Sequence, residues 1–141
     1  MATSIARVPG DFAGELPSLD YAAVADGLPD PGEVVWTWVP YEEDPSQGKD
    51  RPVLVIGRVT VYLLAVPLTS KDHDRDKEQE EAEGRYWVDV GSGPWDRKGR
   101  PSEARVDRIL QLDPSRVRRE GGAIGRERFE LVVAAVREHR R

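Results

Sequence analysis

The 141-residue chain contains no cysteine, which excludes disulfides and thiolate metal sites. It has only two histidines, His73 and His139, far apart and each flanked by charges. Such lone histidines are more often exposed surface groups than ligands, so no metal and no cofactor are expected. No stretch approaches the roughly 18 apolar residues that a membrane span requires. The first ten residues also lack the apolar core of a signal peptide. The expectation is a soluble cytoplasmic protein with no membrane partner. Positive charge is scarce at the start: residues 1–50 hold two basic and ten acidic residues, in a chain of net charge −5. Residues 97–119 reverse the balance, with eight basic residues against three acidic ones. Phosphate contacts need local positive potential rather than a basic whole chain, so a nucleic-acid partner stays open beside a merely solvated basic face.

Residues 1–30 read as an acidic, flexible N-terminal tail, with at most a short helical turn over residues 20–25. The prolines around Asp30 mark its boundary with a domain over residues 31–141. That domain opens with a β-branched and aromatic run, residues 33–39, which predicts a strand. Val34, Trp36 and Trp38 alternate with Val35, Thr37 and Val39, so the strand is apolar on both faces and needs cover from a helix or a partner. Further strands are predicted over residues 52–56, 60–68, 86–90 and 104–112, with a tight turn at Gly57-Arg58 between the second and third. Residues 71–85 are so charged that a mobile loop or frayed helix is expected. Asp113-Pro114-Ser115 suggests a cap and a short helix. Phe129, Val132, Val133 and Val136 recur at i, i+3, i+4 and i+7, the spacing of an amphipathic helix packed on the sheet. Several short strands and one closing helix make a small, mostly β barrel.

Four segments, in order, resemble the MazF/PemK/Kid toxins. They are Gly32-Glu33-Val34-Val35-Trp36, the run from Gln47 through Arg51-Pro52 to Val55, Val66-Pro67-Leu68-Thr69-Ser70, and Arg105-Val106-Asp107 followed by Leu112-Asp113. The resemblance implies an SH3-like barrel of the MazF/PemK/CcdB type and a homodimer. It also implies the toxin of a type II toxin–antitoxin system, a metal-independent endoribonuclease that cuts single-stranded RNA and is neutralised by a cognate antitoxin. Two departures stand out. Glu42, Glu43 and Asp44 occupy the first loop, where some members carry a histidine. Arg108 replaces the usual glutamine after Asp107. A non-enzymatic relative remains the alternative: a CcdB-like topoisomerase poison, or a degenerate module that binds RNA or a partner without cutting.

Cutting RNA without a metal uses the substrate's 2′-hydroxyl as nucleophile and leaves a 2′,3′-cyclic phosphate. The protein must remove that proton, stabilise the phosphorane and protonate the leaving oxygen. By the resemblance, Arg51, Thr69, Arg105 and Asp107 are the catalytic candidates. Arginine suits the phosphorane because its planar donors pair with two phosphate oxygens. Arg105 and Asp107, at i and i+2 on one predicted strand, should face the same way, as a catalytic pair or as a structural ion pair. No residue is assigned to the leaving-group proton. RNA-binding candidates are Gln47, Lys49, Ser70, Trp95, Arg97, Lys98, Arg100 and Arg108. Trp95, next to the basic turn, is the candidate for stacking a base; Trp36 and Trp38 are assigned to the core or the dimer interface.

Overall fold

A computed structural model describes residues 8–22, 29–70 and 77–140. Strands β1 (Gly10–Asp11), β2 (Val34–Pro40), β3 (Gly48–Val59) and β4 (Tyr62–Thr69) are followed by a short helix α1 (Lys77–Ala82). Strands β5 (Trp87–Gly91), β6 (Ser102–Arg105) and β7 (Leu110–Leu112) come next, then a 3₁₀ turn (Pro114–Arg116) and the helix α2 (Arg126–His139). All pairings are antiparallel. The sheet runs β1-β7-β4-β3-β2, and β6 joins β4 to β5. Because β4 pairs with β3, β6 and β7, the sheet branches and curls into a half-barrel, with α2 closing the chain. This is the mostly β class expected from the short apolar runs.

Alternation divides the apolar residues between two cores. Val34, Leu54, Ile56, Leu64 and Val66 pack with Phe129, Val132 and Val136 of α2. Val35, Val39, Val53, Val55, Leu63, Ala65, Leu110 and Leu112 form the second core. Each large apolar side chain so buried contributes about 1.5–3 kcal/mol. Strand β2 is covered on both faces at its start, where Val34 and Val35 are each fully buried, but not along its whole length: Trp36 is half-buried and Trp38 is 42% exposed. Neither tryptophan assigned by sequence to the core or the dimer interface is part of the buried core.

Two local predictions also change. The β3–β4 hairpin turns at Thr60-Val61, between the pair Val59 and Tyr62, and not at Gly57-Arg58. Gly57 serves a close approach instead: a Cβ there would lie 2.7 Å from Leu19 Cδ2. The single strand expected over residues 104–112 is two, because the chain bends after Arg105 to pair first with β4 and β5 and then with β4 and β1. The charged stretch before β5 contains α1, whose Glu80 is buried against Arg85; residues 71–76 lie outside the described part.

Residues 8–22, expected as part of a loose tail, are docked on the barrel. Gly10 and Asp11 pair with Gln111 and Leu110. Leu19 is buried in the first core, and Tyr21 packs edge-on against Phe129 while its hydroxyl donates to Ile124 O at 2.9 Å. The apolar residues scattered among the acids supply this docking, a signal too sparse to read as periodicity. Residues 20–22 are not helical, and residues 23–28 lie outside the described part.

Candidate functional site

A cleft of about 710 Å³ opens where the ends of β3 and β4 meet the turn before β6. Strand register brings its parts together. Arg51 lies opposite Thr37 on β2, and the β3–β4 pairing ends at Val53 and Pro67, two residues from Arg51 and from Thr69, both of which line the cleft. Arg51 falls on the strand face of Val53 and Val55 by alternation and is partly buried.

That placement leaves the guanidinium under-satisfied. Arg51 Nε is buried and has no hydrogen-bond partner among the described residues. Its pKa is lowered, first by burial; the positive charges of Arg108 and Arg105 add to this, while Tyr41 and Glu43 oppose it. Arginine remains charged at any physiological pH. A field that disfavours the bare cation favours a bound anion beside it.

Around Arg51 the cleft is lined by Lys49, Arg97, Lys98, Arg100 and Arg118, with Asp50, Asp96 and Glu120 as its acids. The acids are already engaged: Asp96 holds Arg100 at 2.9 Å, and Asp50 and Glu120 hold Arg118 at 2.6 and 3.7 Å. Lys49, Arg51, Arg97 and Lys98 have no carboxylate partner within salt-bridge reach among the described residues. Thr69 and Ser70, at the end of β4, bring hydroxyls to the same cleft.

The remaining candidates are placed differently. Arg105 and Asp107 do meet, but not as neighbours on a straight strand. The bend after β6 folds Asp107 back so that Arg105 Nε and Nη2 donate to its oxygens at 3.1 and 2.8 Å. Arg105 Nη2 also donates to Glu42 at 2.9 Å, and Asp107 accepts from the Tyr86 backbone N–H at 2.9 Å. Burial pulls the Arg105 pKa down, but the bonds and charge of Asp107, then Glu42, outweigh it and leave it raised. This pair is buried and does not line the cleft. Arg108 is also buried, bonded to Asp11 and to the Pro40 carbonyl. Gln47 is exposed in the β2–β3 loop, outside the cleft wall.

Trp95 reaches the cleft wall but is 3% exposed, with Nε1 donating to Ser102 Oγ at 2.9 Å. Its ring packs over Gly93, where a Cβ would come within 2.1 Å of the indole. A base has little free ring face there. Trp36, assigned to the core or an interface by sequence, is the half-buried tryptophan that lines the cleft. Arg118 was missed as an individual site residue. It lies in the basic stretch, but its pairing with Asp50, 68 positions away, has no local signal.

The fold and cleft now stand beside one decisive comparison: residues 30–139 match the family described as the PemK-like, MazF-like toxin of type II toxin–antitoxin systems. The chain belongs to this family. The match covers the half-barrel and α2 and starts after the docked N-terminal segment. Family membership implies an antitoxin partner. No match was found among curated proteins. Among the described residues, no helix of this PemK-like chain is long and apolar enough to cross a membrane.

Proposed function

We propose that this PemK-like toxin is a metal-independent endoribonuclease acting on single-stranded RNA. The observation that carries the reading is Arg51. It is a partly buried cation in the basic cleft, with an Nε that has no hydrogen-bond partner among the described residues and three further cations around it without carboxylate partners. Lys49, Arg97 and Lys98 would hold the sugar–phosphate backbone on either side of the scissile phosphate. Arg51 would receive the phosphorane charge, helped by the hydroxyls of Thr69 and Ser70. The face of Trp36 offers a place for a base to stack. The Arg105–Asp107 pair, tied also to Glu42, would serve as a buried structural tie rather than as part of the phosphate-binding surface. A homodimer and a cytoplasmic site of action complete the reading, on the strength of the family.

The test is incubation of antitoxin-free protein with a long RNA in EDTA, followed by mapping of the ends. Cleavage leaving cyclic or 3′-phosphate ends, unaffected by EDTA, is the expected result. Cleavage that needs magnesium, or none at all, would overturn it. One observation favours a second reading, an RNA-binding relative that does not cut: Arg105 and Asp107 satisfy each other and lie off the cleft. Tight RNA binding without cleavage would select that reading.

A further inference from the structure

The N-terminal segment makes one polar contact that its docking does not require. Arg108 is buried, and its guanidinium has two anchors. Nε donates to Asp11 Oδ1 at 3.0 Å, and Nη2 donates to the Pro40 carbonyl at 2.8 Å. Asp11 is held in place by β1, whose pairing sets it opposite Leu110. Pro40 ends β2, opposite Gly48, and the loop of residues 41–47 starts at that carbonyl. The Tyr41 N–H donates to Gln47 O at 2.9 Å, closing the loop, and Glu42 within it accepts from Arg105. A chain of contacts thus runs from Asp11 to Arg108, to the base of the loop, to Glu42 and to Arg105.

We infer that Asp11 is a positioning residue for the candidate site: through Arg108 it holds the start of the 41–47 loop, and with it Glu42, against Arg105. The physical reason is charge. Arg108 and Arg105 both act on Arg51, so three guanidinium groups share this region. Asp107 and Glu42 are engaged by Arg105. Asp11 is the carboxylate that pairs with Arg108 among the described residues. A buried cation stripped of its counter-charge is strongly unfavourable. Without Asp11, Arg108 would leave Pro40 for solvent or draw Glu42 away from Arg105, and either move loosens the loop. Asp11 precedes the family-matched residues 30–139, so the device reaches outside the matched part of the chain.

The kinetic part of this inference rests on the nuclease reading; the tether itself does not. Asp11→Asn keeps the shape and removes the charge. It should lower kcat for RNA cleavage roughly tenfold with KM changed less than about twofold, since loop placement and not phosphate binding is disturbed. Amide exchange at Tyr41 and Gln47 should accelerate on the order of tenfold. Asp11→Glu should restore most of both. Arg108→Gln replaces the cation by a neutral amide that ends near the position of Arg108 Nε, beside Asp11. In that background, Asp11→Asn should change kcat and exchange by less than about twofold, because no buried charge is left to strand.

Unchanged exchange at Tyr41 and Gln47 in Asp11→Asn would overturn the tether. Faster exchange with unchanged kcat would overturn the positioning role. An equal loss in the Arg108→Gln background would overturn the route through Arg108. Should Asp11→Asn not fold, the double variant decides: folded with the exchange of Arg108→Gln supports the inference, unfolded overturns it. A wild-type chain that leaves RNA intact would refute the nuclease reading alone, and the exchange comparison would still decide the tether.

Discussion

Arg51 occupies a position chosen against stability. Its guanidinium is partly buried, near two other cations, and its Nε lacks a partner. Structural arginines in this protein look different: Arg105 and Arg108 have each found a carboxylate. Replacing Arg51 by Gln should therefore cut RNA cleavage by about 100-fold or more through loss of phosphorane stabilisation. The same change should leave the urea midpoint unchanged or raised, because an under-satisfied charge is removed. A variant that keeps wild-type rates would move the active site elsewhere. Asp107 should behave in the opposite way. Asp107→Ala leaves Arg105 with Glu42 as its remaining carboxylate and strands the Tyr86 N–H, so it should destabilise the fold by about 1–3 kcal/mol. Urea unfolding measures this, and an unchanged midpoint would show that the pair is not a structural tie.

At the scale of elements, the β3–β4 hairpin carries strain that its sequence hides. Thr60 sits at φ 53°, in the left-handed region that β-branched residues avoid. Gly57 misleads as a turn signal because its missing side chain makes room for Leu19, three residues before the true turn. Thr60→Gly should stabilise by about 0.5–1 kcal/mol, the left-handed strain relieved less the added entropy of glycine. Thermal unfolding reads the change as a rise of about 2–4 °C per kcal/mol. A fall in midpoint would mean that the Thr60 Oγ–Val59 O hydrogen bond, 2.7 Å long, outweighs the strain.

At the scale of the molecule, two features set the expected behaviour. Four cleft cations lack carboxylate partners among the described residues, so single-stranded RNA affinity should fall with log salt at a slope of about −3. A filter-binding or anisotropy series across ionic strength measures it. A slope near zero would remove RNA from the cleft. The second feature is the N-terminal segment, which buries Leu19 and packs Phe12 and Tyr21 on the first core. Deleting residues 1–29 should lower stability by about 3 kcal/mol or more, since at least one fully buried and two partly buried apolar side chains are lost. The described residues 8–22 do not line the cleft, so the deletion should leave RNA affinity within about twofold of the full chain. Denaturant unfolding of the truncated chain, with RNA titration beside it, tests both statements.

Much was legible in the residues themselves. Period-2 runs such as residues 33–39 and the i, i+3, i+4, i+7 pattern from Phe129 to Val136 specify strands and helix, because burial of one face is encoded locally. Lys49, Arg51, Thr69, Ser70, Arg97, Lys98 and Arg100 were recognisable as site candidates, and they converge on one cleft. Tertiary structure alone decided which charges are spent and which remain available. Asp11 against Arg108, Asp50 against Arg118 and Glu42 against Arg105 join residues 97, 68 and 63 positions apart. Such pairings depend on where the sheet curls, not on any spacing along the chain. One of them reversed an expectation by making Arg108 a buried anchor; core packing and a bond to Ser102 did the same for Trp95. Side-chain type sets what a residue can do; the pairing of strands distant in sequence sets whether it is left free to do it.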